Sequence, residues 1–278
     1  MRNQSRKVGI TPRTALDSAV RFPFIYLPMH GSTYGTDTAT QVKDRAYAVD
    51  NQSSDGPFFT SGLITCGGTT TNIWSANAGL FTPPGNGVIK DTSSAVRDFM
   101  RLDTLDDGGG ILVLFRYVMG AIPSAAEYFI SYSDLHAVGG YSLWLFTDGK
   151  IYCSYMPQGG SLTTVTRDDT ALTAGTEYAY CLYLDCINRV AILYRNGIIQ
   201  TSPNPMLSPL PSLNAANGFV IAGRSGAEST NKSNQNGSAS RMRDIFVMRA
   251  TSDISGEISV IATEWYNTPH EIPLKLIA

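Results

Sequence analysis

Long apolar runs are missing from this 278-residue sequence. No stretch of eighteen apolar residues occurs, so a membrane-crossing helix is not expected. The first twenty residues carry charge throughout and lack an apolar h-region, so they do not read as a secretory signal. Charge is also scarce. Asp, Glu, Lys and Arg make up 16% of the chain and the net charge is −2, which disfavours a strongly electrostatic nucleic-acid binder. Cysteine is rare: Cys66, Cys153, Cys181 and Cys186 form no C-x-x-C pair, and four in a chain this long do not make a disulfide framework. That usage fits assembly in a reducing cytoplasm. Histidine is rarer still. His30, His136 and His270 lie far apart, with no partner at zinc spacing, so no resident metal or cofactor is expected.

What the sequence has instead is 43% hydrophobic residues, enough for a sizeable core, broken into short pieces by Gly-rich turns. The most regular part is 96–250. "VRDFMRL" (96–102) leads through "DDGGG" into "ILVLFRYVM" (111–119), and "EYFISYS" (127–133) follows. "GYSLWLF" (140–146) turns through Asp148-Gly149 into "KIYCSYM" (150–156), and Asp-Gly between alternating runs is a strong hairpin signal. "EYAYCLYLD" (177–185) and "RVAILYRNG" (189–197) make a second hairpin across Cys186, Ile187 and Asn188, and Asn196-Gly197 predicts a type I′ turn into "IIQ". "GFVIAG" (218–223) and "RDIFVMRA" (243–250) add two more strands. Only one helix stands out, at 255–266. There Ile258, Ile261, Ala262 and Trp265 recur at helical spacing, Asp253 or Ser255 can cap the start, and Asn267 and Pro269 can end it. Many short strands with one helix predict an all-β antiparallel jelly-roll sandwich rather than a parallel α/β sheet.

The N-terminal part reads differently. Residues 1–45 are polar and are expected to form an extended arm before a body at 46–278. Within residues 1–21, Arg2, Arg6, Lys7, Arg13 and Arg21 stand against Asp17 alone, on an otherwise acidic chain. The arm holds one apolar island, "RFPFIYLP" (21–28), whose two prolines suit an edge or a partner surface better than a central strand. Residues 46–95 contribute "PFFTSGLITC", "NIWSANAGLF" and "GNGVIK" as short strands.

The stretch "VAILYRNGIIQTS" resembles the hairpin of laminin-G-like and concanavalin-A-like domains. Its flanks agree in order: "LTAGTEYAYCLYLD" before it, then "GFVIAGRSG" and the closing "SRMRDIFVMRATSDISGEISVIATEWY". Upstream, "DFMRLDTLDDGGGILVLFRYVM" supplies a further strand, with Phe115 and Tyr117 where the family usually has Trp. The resemblance covers about 79–266 and implies a lectin-like jelly roll.

That family includes glucanases, which carry glutamates and an aspartate on one strand in the spacing E-x-D-x-x-E. No two of Glu127, Glu177, Glu228, Glu257, Glu264 and Glu271 frame that spacing, so no glycosidase, and no enzyme, is expected. "GRSGA" (223–227) misses the serine-hydrolase elbow by one glycine and reads as a turn. The resemblance also raises calcium, for which Asp106-Asp107 and Asp168-Asp169 are loop carboxylates, though Asp pairs in loops ordinarily favour turns. For sugar stacking, Trp74 lies in a polar stretch and Tyr155 beside the loop "MPQGG", while Trp144 and Trp265 read as core. No ligand-binding residue is assigned.

A laminin-G-like body with an unrelated extension is similar to bacteriophage virion components. The expectation is therefore a non-enzymatic virion structural protein, assembled in the host cytoplasm. It would decorate a capsid or join a tail, dock through its arm on other virion subunits, and form a homo-oligomer. The alternative is a carbohydrate-binding lectin module for a surface glycan. Neither reading involves nucleic acid, a membrane or a cofactor.

Overall fold

The structure, a computed structural model, describes residues 24–27, 41–43, 63–67, 74–75, 79–81, 88–91, 98–105, 108–132, 139–202, 204–211, 219–221 and 240–268. Among these, two antiparallel sheets of eight strands each face one another. The first sheet holds β1 (Phe24–Leu27), β4 (Trp74–Ser75), β5 (Gly79–Phe81), β7 (Gly110–Val118), β12 (Glu177–Asp185), β13 (Val190–Arg195), β14 (Ile198–Ile199) and β16 (Arg241–Ala250). Its order is β14-β13-β12-β7-β16-β5-β4, with β1 also on β16. The second holds β2 (Gln41–Lys43), β3 (Leu63–Gly67), β6 (Val88–Asp91), β8 (Glu127–Tyr132), β9 (Gly140–Leu145), β10 (Ile151–Met156), β11 (Thr163–Arg167) and β15 (Phe219–Ile221), ordered β11-β10-β9-β8-β15-β6-β3-β2. The expected all-β antiparallel sandwich with one short C-terminal helix is the fold observed.

The core follows from period-2 alternation. Ile111, Val113, Phe115 and Tyr117 of β7, and Tyr180, Leu182 and Leu184 of β12, point between the sheets. Tyr141, Leu143 and Leu145 of β9, and Ile151, Cys153 and Tyr155 of β10, meet them from the other side. Phe115 and Tyr180 stack with centroids 4.9 Å apart. Cys153, Cys181 and Cys186 are all buried, and Cys153 and Cys181 behave as small hydrophobes whose thiols burial pushes well up.

The other face of the first sheet is covered as well. Leu112 and Leu114, Ala179, Cys181 and Tyr183, and Phe246 and Met248 form a second apolar cluster with helix α1 (Ile258–Asn267). The helix buries the four residues expected of it, Ile258, Ile261, Ala262 and Trp265. Trp265 is fully buried and its Nε1–H donates to the Phe115 carbonyl at 3.3 Å. The helix is entered by a 3-10 turn, Ser255–Glu257, where Asp253 Oδ1 accepts the Ser255 N–H at 2.8 Å. Since both faces of β7, β12 and β16 are buried, these strands read as continuous apolar runs.

The turns are chemically specified. Asn196 and Gly197 take φ 51° and 75°, the two positive values that a type I′ turn needs. The Asp148-Gly149 hairpin differs from the expected two-residue turn. Its loop is longer: the Phe146 N–H donates to Lys150 O, the Gly149 N–H donates to Phe146 O, and Gly149 alone has positive φ. This is a type I turn followed by a left-handed glycine. Gly110 meets a different demand, close approach: a Cβ there would lie 2.4 Å from Leu184 O and 2.5 Å from the Tyr183 ring. Before it, residues 98–100 of "VRDFMRL" are helical and Asp103–Leu105 is a 3-10 turn. Arg249 ties this segment to β16, donating to the carbonyls of Phe99 and Arg101.

Two stretches of residues 1–45 belong to the sheets of their own chain. Phe24–Leu27 of the apolar island pairs with Met248–Ile245 of β16, and Ile25 is fully buried. Gln41–Lys43 pairs with β3. Phe24–Leu27 is thus an edge strand among the described residues, the first of the island's two expected settings, and Ile25 packs into the chain's own core.

Candidate functional site

The outer faces of the two sheets differ, and the difference locates the candidate site. The apolar part of the first sheet's outer face is covered by α1. On the second sheet, one cross-strand row is aromatic: Tyr128 of β8 is opposite Trp144 of β9, which is opposite Tyr152 of β10. A bulge between Tyr128 and Ile130 sets this row. It lets Tyr128 share the outward side with Trp144 while Ile130 returns to the core beside Leu143. Phe146, two positions beyond Trp144, shares that face by the same period.

The four rings touch one another. Trp144 stacks with Tyr128 at 5.8 Å between centroids and lies 5.4 Å from Tyr152. Phe146 sits edge-on to Trp144 at 5.1 Å and to Tyr152 at 5.8 Å. All four stay partly open to solvent, and Phe146 is 38% exposed. Trp144 therefore departs from the core role expected of it, because it alternates against Tyr141, Leu143 and Leu145 rather than with them. Tyr155 departs the other way. It is fully buried and its hydroxyl donates to Leu207 O, so it is no loop-side platform. Trp74 lies on β4, paired across to Leu80.

Polar groups hold the ring cluster. Trp144 Nε1–H donates to Ser154 Oγ at 2.8 Å. The Tyr152 hydroxyl donates to Asp148 Oδ2 at 2.7 Å, while Asp148 Oδ1 accepts the Lys150 N–H at 3.0 Å. Partial burial and the Asp148 carboxylate raise the Tyr152 pKa, against a smaller lowering from the Arg167 guanidinium facing its hydroxyl. Lys150 Nζ donates to Asp169 O at 2.8 Å.

Behind this cluster lies a buried carboxylate. Asp168 Oδ2 accepts the Ile151 N–H at 3.0 Å and the Tyr180 hydroxyl at 2.8 Å, and Oδ1 faces Arg195 Nη1 at 3.5 Å. Burial pushes its pKa up to about 6, partly countered by the Ile151 N–H, Arg195 and the Tyr180 hydroxyl. Its own N–H donates to Ile151 O, so the carboxylate and backbone of one residue bracket the start of β10. Asp169 instead takes the Thr201 hydroxyl and N–H. The Asp168-Asp169 pair, weighed as loop carboxylates for calcium against an ordinary turn role, diverges onto protein donors, and no group of three or more metal-ligating side chains occurs among the described residues. Asp106-Asp107, the three histidines and "GRSGA" lie outside those residues.

A second polar group lies on the outer side of the first sheet. Glu177 accepts from Arg116 at 2.9 Å through Oε1 and from Arg243 at 2.9 Å through Oε2, so its carboxylate is occupied at both ends. The other described glutamates are dispersed: Glu127 is on β8, Glu257 on the 3-10 turn and Glu264 on α1. Neither polar group was legible beforehand, since each joins residues far apart in sequence.

No protein-family model matches the sequence, and no curated protein matches it. Solved structures do match. A Trypanosoma rangeli sialidase aligns at a TM-score of 0.54 with 10% identity, over 89% of this chain and 33% of that one. The likeness is one of fold. The binding domain of botulinum neurotoxin serotype D aligns at 0.53, also with 10% identity, over 86% of this chain and 51% of that one. The chain spans about a third of the sialidase's length. Both likenesses agree with a lectin-like β-sandwich, and neither carries an activity.

Proposed function

We propose that this chain is a non-enzymatic, lectin-like recognition module that binds saccharide through the outer face of its second sheet. The observation that carries this reading is the contact group of Tyr128, Trp144, Phe146 and Tyr152, left partly open where the apolar part of the opposite outer face is covered by a helix. Aromatic rings held on a rigid sheet and rimmed by hydrogen-bonding groups suit a ligand with apolar C–H faces and many hydroxyls. The fold neighbours, a sialidase and a toxin binding domain, support the scaffold. Homo-oligomer formation, expected from the sequence, would multiply a weak single-site affinity by simultaneous engagement. The test is a printed glycan array probed with the whole chain. Reproducible, saturable binding to at least one glycan class is expected, and no binding across the array would overturn the reading.

The finer proposal places the module on a virion, docked to other subunits through its N-terminal residues. It is favoured by the basic set Arg2, Arg6, Lys7, Arg13 and Arg21 on an acidic chain. Because 24–27 and 41–43 pair within their own sheets, the docking part of this proposal rests on residues 1–21. Deleting those residues should abolish incorporation into particles while leaving the sandwich folded; a truncated chain that incorporates normally would contradict it.

A further inference from the structure

Resting on the reading above, the structure assigns a specific ligand class and contact set to that face. We infer that Trp144, Phe146 and Tyr152 stack a neutral pyranoside, whose hydroxyls are met by Asp148 and Arg167, and that acidic saccharides are not its ligands.

The groups at the rim select the ligand. The Tyr152 hydroxyl, 2.7 Å from Asp148 Oδ2, ties the ring edge to an exposed carboxylate. A carboxylate offers about four acceptor positions. Two at Asp148 are used, by the Tyr152 hydroxyl and the Lys150 N–H. The remainder face outward as acceptors for donated hydroxyl protons, and they repel an anionic sugar. Two cations lie beside the rings. Lys150 Nζ donates to Asp169 O, and Arg167 faces the Tyr152 hydroxyl. By charge, the carboxylates of Asp148 and Asp169 stand beside Arg167 and Lys150 and balance them, leaving no excess positive charge to draw in a carboxylate or sulfate. Arg167 is exposed and carries five N–H donors, more than one hydroxyl contact consumes, so it can also donate to a sugar oxygen. Donors and acceptors beside an open aromatic surface, with balanced charge, fit a neutral polyol ring better than a peptide or an acid.

The ring positions are fixed before any ligand arrives. Trp144 is tethered to Ser154, and Tyr152 to Asp148. The strand under Tyr152 is bracketed by Asp168 through the Ile151 N–H and C=O. Such preorganisation lowers the entropic cost of binding.

The experiment compares the wild-type chain with Phe146→Ala, Trp144→Ala and Asp148→Asn on an array of neutral glycans (glucans, galactans, mannans) and acidic glycans (sialylated, sulfated, uronic). Half-maximal binding concentrations are measured, and thermal midpoints and oligomeric mass are measured in parallel. The wild type should bind neutral glycans. Phe146→Ala and Trp144→Ala should each weaken binding at least tenfold, and Asp148→Asn should weaken it several-fold without gaining acidic ligands. Phe146 is 38% exposed and touches only Trp144 and Tyr152 among the rings, so its variant should lower the thermal midpoint by only about 2–4 °C and stay folded while binding is read. Undiminished neutral-glycan binding by both ring variants would overturn this assignment while leaving the lectin-like reading in place. A preference for acidic glycans would do the same. No glycan binding, with an oligomer that Phe146→Ala dissociates, would overturn both and assign the face to a second copy of this chain.

Discussion

The two outer faces of this sandwich are built from the same alternation and end differently. On the first sheet, Leu112, Leu114, Cys181 and Phe246 face α1 and Trp265 closes the contact. On the second, Tyr128, Trp144 and Tyr152 occupy the equivalent outward positions with Phe146 beside them, and they remain partly open. A tryptophan therefore serves packing in one place and presents surface in the other. Its strand or helix does not decide which; the element lying over it does.

This contrast predicts unequal costs for equivalent changes. The largest effect is expected for Trp265→Ala, which empties a fully buried position. It should cost about 3–5 kcal/mol in chemical denaturation, whereas Trp144→Ala, partly open to solvent, should cost about 2 kcal/mol from its ring contacts and its half-buried surface. Equal losses would erase the distinction between the faces.

Next in size is a pH effect from the carboxylate behind the open face. The Asp168 pKa of about 6 lies above its ordinary value of 3.8, so the folded chain holds the proton more tightly than the unfolded one. Stability from this group is therefore fully present below about pH 4 and is lost as pH rises through about 6, by up to about 3 kcal/mol. Asp169 and Asp253 shift down instead, so they titrate below this window. Asp168→Asn should flatten the melting temperature between pH 4 and 6 relative to wild type, measured by scanning calorimetry.

Gly110→Ala probes the sealed side, where the new methyl would meet Leu184 O and the Tyr183 ring. About 1–3 kcal/mol should be lost, and an unchanged denaturation midpoint would show that this face is looser than it looks. The smallest effect is expected for Glu177→Gln. Its partly exposed carboxylate bridges Arg116 and Arg243, so about 1 kcal/mol should be lost at low salt and less at high salt, read from denaturation at two ionic strengths.

Much of this architecture was legible in local chemistry. Asn196-Gly197 specified its turn because both residues accept positive φ. The run from Ile258 to Trp265 specified a helix and its buried stripe. The sandwich followed from short alternating runs. The site was harder to read for physical reasons. Trp144 alternates with Leu143 and Leu145, and alternation says that two faces differ without saying which one is covered; only the placement of α1 on the other sheet settles that. The bulge that turns Tyr128 outward leaves no composition signal. Asp168 was visible as half of a turn-like Asp pair, yet its partners Ile151, Tyr180 and Arg195 come from three other stretches of chain. The apolar island at 21–28 looked available to a partner because its own partner, β16, lies more than two hundred residues away.

The most direct test sets one face against the other in a single binding assay. Immobilised neutral glycan is titrated with the wild type, with Phe146→Ala on the open face, and with Val260→Asp on the exposed side of α1, each shown by its melting temperature to be folded at the assay temperature. Phe146→Ala should lose at least tenfold in affinity, and Val260→Asp should bind like wild type. Loss in Val260→Asp with full binding by Phe146→Ala would contradict the account and move recognition to the helical face.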